Sequence, residues 1–296
     1  MRDAIIRKTD ADRRLPANMT DVEAERVSFS WERIGDELRG AGEVPDFNIA
    51  RLAVDWHAAG PNADRVAFRF LGASGVSHEL TYARLRQLTN QFANALRQLG
   101  VGMGDRVFVL AGRISPLYVA VLGSLKNASV VTPLFSAFGP EPIATRVTIA
   151  QARVLVTTES LYRRKIAKIR ASLPSLQHII VVSEGGGVIA DTLDYESWMA
   201  GASDAPPEVT TSADDMSLLH FTSGTTGTPK GAIHVHDAAR THFSTGRYAL
   251  DLHPQDVFWC TADPGWVTGT SYGIIGSLLH GLTPFVDEAA FDANRW

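Results

Sequence analysis

The sequence predicts an α/β protein built from parallel-sheet subdomains with flanking helices. Short apolar runs, each suited to a buried strand, alternate with longer segments that fit helices. The strand candidates of the first half lie at residues 106–110, 130–132, 154–156 and 178–182, and the helix candidates between them at 116–126, 142–151 and 160–171. Strands that alternate with helices in this way favour a parallel sheet covered on both faces.

The helix predicted over residues 82–99 shows the periodicity most clearly. Its apolar residues follow the three- and four-residue spacing of one helical face: Leu85, Leu88, Phe92, Leu96 and Leu99. Gly100 follows immediately, and glycine is a common residue at the end of a helix. The segment is therefore predicted to be an amphipathic helix that ends at Gly100.

Three regions are expected along the chain. Residues 1–50 are polar and weakly patterned, which indicates an extension on the main body. Residues 51–205 form a first α/β subdomain, which a glycine run at 185–187 and a Ser-, Asp-, Pro- and Thr-rich segment at 201–215 bring to an end. Residues 206–296 begin a second α/β subdomain, with strands expected at 218–221, 257–260 and 283–286 and helices at 238–250 and 271–280.

Composition and charge argue against several classes of protein. The 28 basic and 32 acidic residues give a formal net charge of -4, which offers no electrostatic basis for binding nucleic acid. Cys260 is the single cysteine, so no disulfide can form within the chain, which suits a reducing compartment. The sequence has no run of roughly 18 apolar residues and no secretory signal core at Met1. We therefore expect a cytoplasmic protein with no nucleic-acid or membrane partner.

A glycine- and hydroxyl-rich loop is the most informative stretch of the sequence. It follows an apolar strand candidate and reads Phe221-Thr-Ser-Gly-Thr-Thr-Gly-Thr-Pro-Lys-Gly231. Glycines let main-chain N–H groups approach a ligand closely, while hydroxyls and a lysine supply hydrogen bonds and positive charge for phosphate oxygens. The predicted phosphate-binding residues are Thr222, Ser223, Gly224, Thr225, Thr226, Gly227, Thr228 and Lys230.

Other interpretations of these motifs fit less well. The loop fails the Walker pattern, because its lysine is preceded by Pro229 and followed by Gly231. A flexible surface loop is the alternative. Three histidines, His234, His236 and His242, suggest a metal site, but the pattern brings them no carboxylate or cysteine partners. We therefore expect no metal bound by protein side chains here.

The loop resembles the AMP-binding signature of acyl-CoA synthetases, luciferases and peptide-synthetase adenylation domains. The resemblance implies a loop that clasps the β- and γ-phosphates of Mg²⁺-bound ATP while a carboxylate attacks the α-phosphate and releases pyrophosphate. Lys230 is the catalytic residue that this resemblance implies. ATP and Mg²⁺ are accordingly the expected substrate and cofactor.

A second segment narrows the resemblance to acetyl-CoA synthetases. It reads Asp256-Val-Phe-Trp-Cys-Thr-Ala-Asp-Pro-Gly-Trp-Val-Thr-Gly-Thr-Ser-Tyr-Gly273. A turn at the carboxyl end of a parallel strand is where α/β proteins place ligands. The resemblance implies that Trp266, Val267 and Thr268 border an acyl pocket, although a tryptophan here could also be a core aromatic.

The same resemblance implies a site for coenzyme A, the third expected substrate. Arg163 and Arg164 lie where the acetyl-CoA synthetase family places basic residues near the 3′-phosphate of coenzyme A. The alternative is that both arginines belong to a solvated helix face. The sequence leaves these two interpretations open.

The resemblance also implies that the chain is incomplete. It covers about residues 64–296, and members of the family are about twice as long. The segments that bind adenine, ribose and Mg²⁺, and the small C-terminal domain with its adenylation lysine, would lie beyond Trp296. We therefore expect an incomplete large N-terminal domain of the adenylate-forming fold, with the missing portion possible as a separate chain.

The expected function is the ATP-dependent activation of acetate, or of another short carboxylate, through acyl-AMP to acyl-CoA. The complete enzyme would be an acid–thiol ligase that forms AMP. The alternatives are a medium-chain acyl-CoA synthetase and a non-catalytic nucleotide-binding fragment of a split enzyme. The sequence leaves open whether this chain is active by itself.

Overall fold

The computed structural model describes residues 15–39, 47–187, 189–222 and 227–295. Its strands are β1 (Val66–Leu71), β2 (Ser77–Thr81), β3 (Arg106–Leu110), β4 (Val130–Pro133), β5 (Val154–Thr158), β6 (His178–Val182), β7 (Leu193–Asp194), β8 (Met216–Thr222), β9 (Lys230–Val235), β10 (Val257–Trp259) and β11 (Thr283–Asp287). Its helices are α1 (Val22–Ser28), α2 (Trp31–Arg39), α3 (Trp56–Ala59), α4 (Tyr82–Gln98), α5 (Ser115–Lys126), α6 (Pro140–Ala150), α7 (Glu159–Leu161), α8 (Tyr195–Ala200), α9 (Ala238–Tyr248), α10 (Val267–Thr270) and α11 (Ser277–Leu279). Wider π-helical turns adjoin α3, α7 and α10, at Arg51–Asp55, Tyr162–Ile166 and Ser271–Gly276, and a 3₁₀ turn lies at Arg170–Ser172.

The larger sheet confirms the predicted α/β class. Within the described ranges it has the strand order β7-β6-β5-β3-β4-β8-β9, and every pairing is parallel except that of β8 with β9. Alternate residues of β3 enter two separate cores: Val107 and Val109 join one, and Phe108 and Leu110 join the other. Helices therefore cover both faces, which is why these strands are apolar throughout.

The smaller sheet joins distant parts of the chain. Its order is β10-β11-β1-β2, with β1 parallel to β11 and antiparallel to β2. In the larger sheet, β4 likewise pairs with β8. Both sheets therefore take strands from each side of the boundary predicted between residues 205 and 206, so that boundary does not separate two sheets. Strands pair according to how they pack in space. A boundary drawn along the sequence assumes instead that strands close in sequence pair with each other.

The N-terminal helix α2 packs against α9. Arg33 donates from Nη2 to the Tyr248 hydroxyl at 3.1 Å, and Arg247 forms an ion pair with Glu37. Ile34 is fully buried. These contacts fasten α2 to α9. Residues 1–14 and 40–46 of the expected extension lie outside the described ranges.

Most predicted elements of the regular α/β pattern are confirmed within a few residues. The helix expected at 160–171 differs, since it is divided between α7, the π-helical turn Tyr162–Ile166 and the 3₁₀ turn Arg170–Ser172. The sequence interpretation missed the hairpin of β1 and β2, the short strand β7 and the helix α8. No helix in the described part of the chain is both long and apolar enough to cross a membrane.

A buried ion pair holds the helical layer together. Lys126, at the end of α5, is fully buried, and its Nζ donates to Asn90 Oδ1 at 2.7 Å and pairs with the Asp55 carboxylate. Burial lowers the pKa of Lys126 to about 8, against the opposing influence of Asp55. One lysine thus ties α4, α5 and the π-helical turn that precedes α3.

This lysine should make stability depend on pH in the alkaline range. The folded-state pKa of Lys126 lies below that of an unfolded lysine, so between about pH 8 and pH 10 the unfolded chain binds more protons and stability rises with pH. We expect a contribution on the order of 2 kcal/mol over this range, which Lys126→Met removes. Chemical denaturation at several pH values would measure it, with the exposed Lys168→Met as the control. An equal slope in wild type and Lys126→Met would contradict this account.

Candidate active site

The predicted phosphate loop is the turn of a β-hairpin. Strand β8 ends at Thr222 and β9 begins at Lys230, and these two residues are paired in the antiparallel register. Gly227 has a φ of 83°, a left-handed conformation that glycine adopts without strain. Ser223, Gly224, Thr225 and Thr226 lie outside the described residues. The hairpin holds both ends of the predicted loop at the edge of the larger sheet.

The described side chains of this hairpin turn are accessible. Thr222, Gly227, Thr228 and Lys230 are exposed, and Pro229 is half-buried. The side chain of Lys230 forms no ion pair or hydrogen bond with any residue in the described ranges. An exposed ammonium group without a protein partner can approach an anionic ligand directly. This arrangement is compatible with the predicted phosphate site, which stays a prediction.

The predicted acyl-pocket residues lie at the start of α10. Trp266 and Val267 are 50% and 42% exposed, and Thr268 is also exposed. The Trp266 ring lies 5.3 Å from the Phe135 ring, centre to centre, at an angle of 43°. Trp266 is therefore not a core aromatic in this structure, and it presents a surface that another molecule or segment could cover.

Asp263 fixes the turn that leads to Trp266. Its Oδ1 accepts a hydrogen bond from the Gly265 N–H at 2.8 Å, and its Oδ2 accepts one from Ser136 Oγ at 3.2 Å. Burial raises the pKa of the Asp263 carboxyl group, against the hydrogen bonds that lower it. The turn is thereby held against the segment that follows β4.

A cavity of about 440 Å³ lies at the carboxyl ends of the central parallel strands. It is bordered by residues that follow or end strands β3, β4, β5, β6 and β11, together with Asp263: Gly112, Arg113, Ser136, Thr158, Val182, Glu184 and Glu288. This is the edge at which α/β sheets commonly bind ligands. Arg164 also lines the cavity, whereas Arg163 does not.

The two predicted arginines differ in their partners. Arg163 Nε donates to Glu159 Oε1 at 2.9 Å. The Glu159 carboxylate is buried, and N–H groups of Gly186 and Glu184 and the Arg163 guanidinium lower its pKa. Arg164 Nε instead donates to the Ser160 carbonyl at 3.2 Å. The charge of Arg163 is therefore neutralised locally, and that of Arg164 is not paired with a carboxylate among the described residues.

The segment 135–138, which follows β4, joins these regions. Phe135 contacts Trp266, Ser136 contacts Asp263 and lines the 440 Å³ cavity, and Phe138 borders a second cavity beside Gly227. This segment lies within the residues 64–296 that the resemblance covers, but no role was predicted for it. Its position directly after a buried parallel strand was the signal that could have marked it.

The histidines noted in the sequence are mainly structural. His236 Nδ1 accepts a hydrogen bond from the Ile49 N–H at 3.1 Å, and the rings of His220 and His234 lie 5.4 Å apart. Burial lowers the pKa of His220, His236 and His242 to about 4, so each is neutral at ordinary pH. Over the part of the chain that the structure describes, no three potential metal ligands form a group that could hold a metal ion.

These features define an α/β protein whose ligand-accessible groups gather at the carboxyl edge of a parallel sheet. The family model for AMP-binding enzymes matches residues 54–296, and the chain belongs to that family. The acetyl-coenzyme A synthetase of Bacillus subtilis (strain 168) is 36% identical over 280 residues, which are 94% of this chain and 48% of that protein.

Two further relatives support the same assignment. The acetyl-coenzyme A synthetase of Methanothrix thermoacetophila is 35% identical over 266 residues, which are 84% of this chain and 40% of that protein. The crystal structure of Brucella canis acyl-CoA synthetase superimposes with a TM-score of 0.83 at 29% identity, covering 93% of this chain and 49% of that one. The chain thus spans less than half the length of these relatives, and it corresponds to their N-terminal portion.

Proposed function

We propose that this chain is part of an enzyme that activates acetate, or another short carboxylate, with ATP and transfers the acyl group to coenzyme A. The observation that carries the proposal is the position of segment 135–138. Its Phe135 contacts Trp266, and its Ser136 lines the cavity that Arg164 also borders. Its Phe138 borders the cavity beside the hairpin of β8 and β9. The names of the relatives from Bacillus subtilis and Methanothrix thermoacetophila support acetate as the acid.

The proposed reaction has two steps. In the first, a carboxylate oxygen attacks the α-phosphorus of ATP, the bond to the β-phosphate oxygen breaks, and pyrophosphate leaves. In the second, the thiol sulfur of coenzyme A attacks the acyl carbon, AMP leaves, and the thiol proton is released. Lys230 would offset charge on the departing phosphates, because a positioned cation stabilises charge that develops in the transition state.

The described residues fit the phosphates better than they fit the metal. The exposed hydroxyls of Thr222 and Thr228 and the unpaired Lys230 are suitable donors for phosphate oxygens. Mg²⁺ in such reactions is held largely by substrate phosphates and one or two carboxylates, and it would neutralise phosphate charge when bound. The described hairpin offers no carboxylate set for Mg²⁺, so the remaining ligands would belong to the rest of the longer enzyme.

Product analysis would test the proposed function. The longer enzyme that contains this chain should form AMP and acetyl-CoA from acetate, ATP, Mg²⁺ and coenzyme A, at a higher kcat/KM than with hexanoate. A preference for hexanoate would instead support a medium-chain synthetase. AMP formation that does not depend on any added acid would contradict the proposal.

The size of Val267 should influence which acid is used. In the longer enzyme, we expect Val267→Ala to raise kcat/KM for propionate relative to acetate by about tenfold, because a recognised methylene is worth about 1–3 kcal/mol in an apolar pocket. Rates with both acids would be compared in wild type, Val267→Ala and the control Val76→Ala, which lies in an exposed turn. An unchanged acid preference in Val267→Ala would show that Val267 does not line the acyl pocket.

The two arginines should contribute unequally to coenzyme A binding. In the longer enzyme, Arg164→Ala is expected to raise the KM for coenzyme A about tenfold, since a hydrogen bond to a charged group is worth about 1.5–3 kcal/mol. Arg163→Ala should change it less than about threefold, because Glu159 already binds this guanidinium. Saturation curves for coenzyme A at fixed acetate and ATP would measure both. A larger rise in the KM for coenzyme A in Arg163→Ala than in Arg164→Ala would contradict the assignment of Arg164 as the binding residue.

A further inference from the structure

An arginine that the proposed mechanism does not use lies beside the phosphate hairpin. Arg146 belongs to α6 and is only 8% exposed. Its guanidinium carbon lies 4.3 Å from the ring centre of Phe138 and 5.7 Å from that of Phe221. Phe138 follows β4, and Phe221 lies in β8 just before the hairpin turn. The arginine thus lies against one aromatic ring on β8 and one on the segment that follows β4.

The charge of Arg146 has little compensation from the protein. Its Nη1 donates to the Pro142 carbonyl at 2.9 Å within α6, and its Nε is buried with no hydrogen-bond partner among the residues that the structure describes. No carboxylate forms an ion pair with it in the ranges that the structure describes. Burying a cation without a counter-ion opposes folding, and arginine keeps its proton even so. A buried charge of this kind is a candidate for a role in ligand binding.

Arg146 lines a cavity that the hairpin turn completes. The cavity has a volume of about 400 Å³, and Phe138, Thr145 and Arg146 border it on one side and Gly227, Thr228 and Pro229 on the other. Glu141 also borders the cavity, and no other described residue that lines it is acidic. The space is therefore open to a small ligand and contains both a hydroxyl-bearing turn and a fixed guanidinium.

We propose that this cavity is an anion site in which Arg146 binds a phosphate group. A planar guanidinium with a free N–H forms charge-assisted hydrogen bonds to phosphate oxygens, and aromatic rings on its flanks restrict its orientation. The inference rests on the proposed function, since that reaction releases pyrophosphate next to the same turn. Arg146 is a phosphate-binding residue in this account, and Lys230 remains the residue assigned to the reaction.

Calorimetric titration of the 296-residue chain with pyrophosphate would test the site. Arg146→Met should weaken binding about tenfold, the equivalent of losing about 1.4 kcal/mol. Arg146→Lys, which keeps the charge but not the planar donor geometry, should weaken binding less than Arg146→Met does. Glu141→Gln should tighten binding about twofold, because it removes a negative charge from the cavity. Parallel titrations with inorganic phosphate and with ATP would show whether the site takes a free phosphate, pyrophosphate or the nucleotide.

Several results would overturn the inference. Equal weakening in Arg146→Met and Arg146→Lys would indicate packing of the hairpin instead of charge recognition. Unaltered binding in Arg146→Met would show that Arg146 does not bind the anion. Absence of pyrophosphate binding by the wild-type chain would also contradict it. Circular dichroism and thermal unfolding would establish whether each variant is folded. If Arg146→Met does not fold, Glu141→Gln still tests the site. Binding that requires Lys230 but not Arg146 would remove this inference and leave the proposed function intact.

Discussion

Lys230→Ala is expected to slow adenylate formation in the longer enzyme by about 2–4 kcal/mol, or roughly 30- to 1000-fold. The lysine is exposed at the first position of β9, beside Thr222, and no described residue neutralises its charge. Its contribution should therefore be largest where charge develops on the departing phosphates. Acetate-dependent exchange of labelled pyrophosphate into ATP would report the adenylation step without the thiol step.

Two companion variants make the Lys230 result specific. Lys168→Ala removes an exposed lysine away from the hairpin and should leave the exchange rate unchanged. Lys230→Arg keeps a positive charge but changes its shape, and should retain part of the activity. Exchange that is equally fast in Lys230→Ala and wild type would mean that the hairpin does not carry the phosphate chemistry.

Gly265→Ala is expected to lower the free energy of unfolding by about 3 kcal/mol or more. A Cβ atom at this position would come closer than 3.0 Å to backbone atoms of Leu134 and Phe135. Backbone at the end of β4 cannot move aside as a flexible side chain can, so either the turn or the strand must shift. Chemical denaturation of the 296-residue chain would measure the loss.

Gly102→Ala is the matched control for this substitution. A Cβ at Gly102 would meet no atom within 4 Å, and the residue does not have a left-handed backbone conformation. Its stability should stay within about 0.5 kcal/mol of wild type, as is usual for surface positions without a special role. A Gly265→Ala variant as stable as Gly102→Ala would show that the Asp263 turn does not press against segment 135–138.

The regular part of the fold could be predicted because its signals are local. The helix α4 is marked by apolar spacing and a following glycine, and strands β3 to β6 are apolar runs separated by helix-length segments. Strand β9 has no such run, since its residues are mostly exposed and include Gly231. The pairing of β1 with β11 joins residues about two hundred positions apart, and nothing in either segment alone identifies the other.

The candidate site could be predicted in composition but not in geometry. The hydroxyl-rich loop and the Trp266 segment were identified from their residues, yet the hairpin that closes the loop depends on pairing between β8 and β9. Arg163 and Arg164 are adjacent and chemically identical, and tertiary structure distinguishes them: Arg163 pairs with the buried Glu159, whereas Arg164 lines the cavity. Arg146 carries no motif at all. Its environment arises from two phenylalanines that tertiary packing brings to it.

Acetate-dependent exchange between pyrophosphate and ATP in the longer enzyme tests the central claim most directly. The reaction requires a carboxylate to attack the α-phosphate reversibly, so it reports the proposed chemistry before coenzyme A takes part. We expect exchange to require acetate, to proceed without coenzyme A and to fall sharply in Lys230→Ala. Exchange that is absent with acetate and other short acids, from a folded enzyme that binds ATP, would contradict the proposal that this chain belongs to a carboxylate-activating enzyme.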